Sequence, residues 1–123
     1  MAFDETFRHL VDIMRPYAEH LDVTHDDPGH LSLDTGHIMK NGKPLFFGAV
    51  QIKKNYVSYH LMPVYVNPSL VTDLPEHLLK RMQGKSCFNF KRIEREQAAA
   101  LAGLTEAGFK DYQAHGFVSA PAN

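Results

Sequence analysis

Cysteine occurs once in this 123-residue chain, as Cys87, so no internal disulfide can form and a small fold stapled by several bridges is excluded. A single thiol fits a reducing compartment, and the expected location is cytoplasmic. Long hydrophobic runs are also missing. None approaches the roughly 18–20 apolar residues that span a bilayer, so no membrane partner is expected. The opening residues MAFDETFRHLVD are acidic and amphipathic, without the basic start and apolar stretch of an export signal. Nor is there an excess of one charge. Thirteen Lys and Arg against fourteen Asp and Glu leave a net charge of −1, which provides no electrostatic footprint for duplex DNA or an anionic membrane.

What is present describes a globular chain. Hydrophobic residues at 44% and charged residues at 22% are close to the averages of folded domains and far from a disordered composition. The length suits one domain that buries its own core, expected over residues 1–118, with SAPAN at 119–123 as a loose tail.

Phe3, Phe7, Leu10, Val11 and Met14 recur at helical spacing, and Glu5, Arg8, Asp12, Arg15 and Glu19 alternate in sign on the other side. Pro16 then kinks this first helix or opens a further short turn. His25-Asp26-Asp27-Pro28-Gly29 reads as a turn cluster, followed by a strand near 30–35. Asn41-Gly42 is the preferred pair for a type I′ turn.

Two longer strands follow, Pro44–Lys53 and Tyr56–Val66, with Lys54-Asn55 as the hairpin turn. Counting from that turn pairs Ile52 with Val57, Gln51 with Ser58, Val50 with Tyr59 and Ala49 with His60. One face then collects Phe46, Gly48, Val50, Ile52, Val57, Tyr59 and Leu61. The other collects Gln51, Lys53, Tyr56, Ser58 and His60, with Phe47 and Met62 as its apolar end.

Asp73 and Glu76 have capping-box spacing around Pro75, predicting a helix that carries Leu74, Leu78 and Met82 and stops at Gly84. Ser86–Lys91 is a short strand with Phe88 and Phe90 on one side and Cys87 and Asn89 on the other. Two helices near 94–102 and 106–114 follow, with Gly103 stopping the first, Thr105 capping the second, and Leu104 stapled against Phe109. The expected fold is α+β: an antiparallel sheet of about four to five strands with helices packed on one face, in the order α-β-β-β-α-β-α.

The segments FGAVQIKKNYVSYHLMPVY, LPEHLLKRM, QGKSCFNFK and LAGLTEAGFKDY, within Phe47 to Tyr112, carry a resemblance to a family. They resemble a bacterial family of unknown function with the YdhG-like fold, most specifically through QGKSCFNFK. The resemblance implies a compact α+β fold whose antiparallel sheet packs on helices. Because that wider group has been compared with frataxin, it also implies an iron-chaperone role. Frataxin-like iron binding relies on an acidic ridge along the first helix and strand, and here the acids of the first helix are interleaved with Arg8 and Arg15.

Few residues carry chemistry in a diagnostic pattern. Eight histidines include His20, His25, His30 and His37, yet no HxxxH or CxxC unit announces a zinc site; Asp22, His25, Asp26 and Asp27 form the one weak His/Asp cluster. Gly84-Lys85-Ser86 ends like a P-loop but follows a helix instead of opening one, and position 79 is leucine where that motif needs glycine. Ser58 with His60, or Cys87, are the candidate nucleophiles of a small hydrolase or transferase. Two residues apart on a strand, Ser58 and His60 have Cβ atoms roughly 7 Å apart, a long reach with no acid to orient the imidazole. No catalytic residue is assigned on that basis.

Tyr56, Tyr59 and Tyr65 with Lys53, Lys54, Lys85, Lys91 and Arg92 have the composition of a single-strand-binding surface, although Tyr59 falls on the apolar face. The polar sheet face remains the leading candidate. Gln51, Lys53, Tyr56, Ser58 and His60, with Lys85 and Ser86 at its mouth, suit a small polar or anionic ligand or a partner protein, without cofactor or metal. The alternatives are a metal chaperone and, more weakly, a hydrolase or transferase. An exposed strand at Ser86–Lys91 would also pair across a homodimer.

Overall fold

The computed structural model describes residues 2–118, so the expected tail at 119–123 lies outside the described residues. The apolar stripe from Phe3 to Met14 forms helix α1 (Ala2–Met14), and Pro16 opens a 3₁₀ segment over Arg15–His20. Then come strands β1 (Asp22–Asp27), β2 (His30–Ile38), β3 (Pro44–Ile52) and β4 (Val57–Leu61), followed by the short helices α2 (Met62–Val66) and α3 (Glu76–Leu79). Strands β5 (Met82–Gln83) and β6 (Cys87–Phe90) precede the long helix α4 (Arg95–Ala114). The fold is α+β, with a six-stranded antiparallel sheet in the order β1-β2-β3-β4-β6-β5. Helices α1 and α4 cover one face of it. No helix among the described residues is long and apolar enough to cross a membrane.

The β3–β4 hairpin has the register counted from Lys54-Asn55: Ile52 opposes Val57, Gln51 opposes Ser58, Val50 opposes Tyr59 and Ala49 opposes His60. The amide of Lys53 donates to the carbonyl of Tyr56 at 2.8 Å, closing the turn. Val50, Val57, Tyr59 and Leu61 are fully buried beneath the helices. Alternation is the cause, since a one-residue slip would drive all four into solvent.

Near its start β3 departs from that simple alternation. Leu33 of β2 opposes Gly48 and Asp34 opposes Phe46, which leaves Phe47 as an extra residue in a β-bulge. Phe47 and Gly48 therefore both face the helices, while Phe46 turns to the open side. Phe47 is fully buried against Tyr17, Phe109 and Tyr112. The expected assignment of Phe46 to the core face and Phe47 to the polar face is thus reversed.

Other differences have equally local causes. The strand expected to run from Tyr56 to Val66 stops at Leu61, because β4 is central and Pro63 cannot supply a ladder hydrogen bond; it opens α2 instead. The turn cluster at 25–29 is largely strand: β1 reaches Asp27, and only Pro28-Gly29 reverses the chain into β2. The Asn41-Gly42 loop is not type I′, since Asn41 does not take a positive φ. Gly42 (φ 82°) instead follows a turn closed by its own amide on the Met39 carbonyl at 2.9 Å.

Asp73 makes no cap; α3 is one turn long, and Met82-Gln83 leave it to pair with β6. Strand β6 therefore lies between β4 and β5, and the sheet edges are β1 and β5, which removes Ser86–Lys91 as an edge for pairing with a second copy. Gly103 does not interrupt α4, whose N-terminus is closed by a capping box of Glu94 and Gln97. Thr105 lies buried in its interior instead of capping it. The Thr105 hydroxyl donates to the Leu101 carbonyl at 2.8 Å and receives the Tyr59 hydroxyl at 2.6 Å, so this polar pair inside the core is satisfied.

Two glycines of opposite setting test this packing. A Cβ on Gly48 would lie 2.6 Å from Met14 Cε and 2.9 Å from the His60 carbonyl oxygen, the latter being backbone. Gly48→Ala is expected to destabilise the protein by about 1–3 kcal/mol in urea denaturation, as overpacking does. At Gly103 nothing lies within 4 Å of such a Cβ, and Gly103→Ala is expected to stabilise by up to about 1 kcal/mol through helix propensity. Equal effects at both positions would contradict the close approach of α1 to β3.

Candidate functional site

Burial in β4 and β6 alternates residue by residue, so Ser58, His60, Cys87 and Asn89 sit half-buried on the face away from the helices. Cross-strand pairing aligns them in rows. Gln51, Ser58 and Asn89 form one row, and Ala49, His60 and Cys87 the next. Together with Lys53, Tyr56 and Gln83 these side chains line a hollow of about 300 Å³. A second hollow of about 470 Å³ adjoins it, lined by Tyr56, Lys80, Arg81, Gln83, Asn89 and Lys91. Tyr56, Gln83 and Asn89 belong to both, so the two form one groove across β3, β4, β6 and β5.

Gln51, Lys53, Tyr56, Ser58 and His60 are thus brought together as the hairpin register requires, whereas two other expected members are not. Lys85 sits in the β5–β6 turn with its ammonium 6.0 Å from the centroid of the Tyr65 ring, beside an apolar recess that includes Val64, Val71 and Met82. Ser86 lies behind the groove, 8% exposed, with Oγ 2.8 Å from His60 Nε2. The groove wall is not Phe47 and Met62. Neither of them lines it, and on that side the Phe46 ring packs edge-on to His60 at 4.9 Å.

Residues that the sequence reading left out supply most of the remaining lining. Cys87 and Asn89 were already sorted to one side of their strand, but nothing in the sequence said that this strand pairs with β4. Lys80 and Arg81 enter because α3 ends early and the chain turns up to the sheet, where the Arg81 carbonyl accepts the Asn89 amide at 2.8 Å.

The groove favours cations at its rim and neutral groups at its floor. Lys53, Lys80, Arg81 and Lys91 are exposed, and no carboxylate among the described residues lines either hollow. On the floor, burial pushes the His60 pKa below its ordinary value and keeps the imidazole neutral. Burial also pushes the Cys87 thiol up, an effect offset only in part by hydrogen bonding to Ser58, the charge of Lys53 and hydrogen bonding to Ser86. A thiol with a raised pKa is a poor nucleophile. His60 bonds to Ser86 and, among the described residues, neither Ser58 nor an ion pair orients its ring. The arrangement is suited to holding a ligand by hydrogen bonds and charge.

Metal ligation finds no such support. No three His, Cys, Asp or Glu side chains converge on a metal-sized site among the described residues. In the β1 cluster, Asp26 is held by a bidentate pair with Arg15 at 2.9 and 3.1 Å, and His25 stacks on His30 at 4.4 Å, a centroid separation. No protein-family model matches this chain, and no curated protein or solved structure is significantly similar to it.

Keeping His60 neutral on the groove floor has a stability consequence. Its folded pKa lies below the ordinary 6.5, so the unfolded chain takes up this proton first as pH falls. The contribution of His60 to stability is complete above about pH 6.5 and is lost as pH falls from there through the depressed folded value. Urea midpoints measured from pH 7.5 to 5 are expected to fall less steeply for His60→Gln than for the wild type. Parallel slopes would show that this imidazole is not desolvated.

Proposed function

We propose that this protein is a binding module that holds a small anionic ligand in the groove on its open sheet face. The observation that carries the reading is the charge pattern. Four cations surround a floor of amide, hydroxyl and imidazole groups, and among the described residues no carboxylate lines either hollow. In a chain of net charge −1 that concentration of one sign is local, and it would raise the anion concentration at the groove. Rigid strands carry the floor, which limits the ordering needed on binding.

A ligand of this kind contacts Arg81 and Lys91 through charge-assisted hydrogen bonds and Gln51, Ser58 and Asn89 through neutral ones. Arg81 is the expected anchor, because its planar fork takes two oxygens of a phosphate or carboxylate together. Lys85 has no part in it, being engaged at Tyr65.

A thermal-shift series with phosphate, pyrophosphate, citrate and divalent metals tests the reading by mass action. Anions are expected to raise the melting temperature, with a response that shrinks as ionic strength rises. Arg81→Gln is expected to weaken binding about fivefold, near 1 kcal/mol for an exposed charge-assisted contact, while Lys85→Gln leaves it unchanged. A shift with iron or zinc and none with any anion would replace this reading with the metal-chaperone one.

A further inference from the structure

The two hollows differ in chemistry, and Tyr56 is one of the three residues that they share. The larger hollow has Lys80, Arg81 and Lys91 on its walls. The smaller has a floor of Gln51, Ser58, His60 and Cys87, with Lys53 as its one cation. Inorganic phosphate would occupy the first and leave the second empty. A ligand that fills both has a strongly anionic end and a neutral end rich in hydrogen-bonding groups.

Tyr56 indicates what the neutral end is. Of the five tyrosines, four have a partner for their rings or hydroxyls within the protein. Tyr17 packs on Phe47 and Phe109, Tyr59 bonds to Thr105, Tyr65 lies beneath Lys85, and Tyr112 packs on Phe47 and bonds to the Phe46 carbonyl. The ring of Tyr56 has no such partner among the described residues, although it is half-buried at the junction of the hollows. An aromatic face placed beside cations and side-chain amides is the combination that takes a nucleobase and its phosphate together. Gln51 and Asn89 each present a donor and an acceptor to the polar edge of such a base.

We infer that the groove binds a free nucleotide, with its base on Tyr56 over the neutral hollow and its phosphates between Lys80, Arg81 and Lys91. This rests on the anion-binding reading above and names the ligand class. The surroundings favour a single nucleotide over a polynucleotide track. The residues that line the groove belong to the β3–β5 part of the sheet, and the opposite edge strand β1 exposes Asp22 and Asp27, which would repel a continuing phosphate backbone.

Titration calorimetry on the intact chain with adenosine, guanosine, cytidine and uridine diphosphates, beside inorganic pyrophosphate, tests the inference. At least one nucleoside diphosphate is expected to bind about tenfold more tightly than pyrophosphate, the increment that base stacking supplies. Tyr56→Leu is expected to bring the ratio of nucleotide to pyrophosphate affinity down to about one, and Tyr56→Phe to retain the advantage. Pyrophosphate binding by Tyr56→Leu serves as its own check of folding. Equal affinity of wild type for pyrophosphate and every nucleotide overturns the nucleotide inference and leaves the anion reading standing. A short single-stranded oligonucleotide that binds more tightly than the mononucleotide overturns the free-ligand assignment. Absence of binding by pyrophosphate and all nucleotides defeats both readings together.

Discussion

The extra residue in β3 sets the relation between the two faces of the sheet. Without the bulge, strict alternation would send Phe47 to solvent and Phe46 to the core. With it, Phe47 and Gly48 both face the helices. Phe47 then anchors the aromatic cluster of Tyr17, Phe109 and Tyr112, and Gly48 leaves room for Met14 of α1. The Tyr112 hydroxyl reaches the Phe46 carbonyl at 2.9 Å, so α4 is tied to the bulge itself. On the opposite face Phe46 is left with its ring edge-on to His60. The core packing and the aromatic contact of His60 are consequences of the same irregularity.

Around that point the polar groups are distributed by burial. Inside the core, the Tyr59–Thr105 pair is satisfied through the Leu101 carbonyl and needs no charge. On the open face, His60, Cys87 and Ser86 form a neutral cluster, because partial burial disfavours both the imidazolium and the thiolate. The cations stand at the rim, where water solvates them in the absence of a ligand. A neutral floor beneath a cationic rim is economical for binding: the floor supplies directional hydrogen bonds, and the rim supplies attraction at longer range. Chemistry would ask for the opposite, a nucleophile or base with its pKa brought toward neutrality from its resting value.

Legibility from sequence followed the range of the interaction. The register of the β3–β4 hairpin was countable, because two residues of turn and period-two alternation are local and mutually constraining. Helix α1 was equally plain from its apolar stripe. Pro63 carried a readable signal as well, since a proline within a strand bordered on both sides marks that strand's end. Gly103 misled in the other direction: its helix-breaking tendency of about 1 kcal/mol is small beside the burial of Leu101, Leu104 and Phe109 on one continuous helix.

By itself, then, the amino-acid order determined the α+β class, the hairpin, and the sorting of Gln51, Lys53, Tyr56, Ser58 and His60 onto one face. Each of these rests on neighbours a few residues apart. Only the tertiary structure decided that β6 docks beside β4, which carries Cys87 and Asn89 to Ser58 and His60 from about 30 positions away. The same holds for the early end of α3, which delivers Lys80 and Arg81 to the rim, and for the bulge that exchanges Phe46 with Phe47. Strand order and bulges are settled by how a whole sheet fits its helices, and no local pattern encodes that fit.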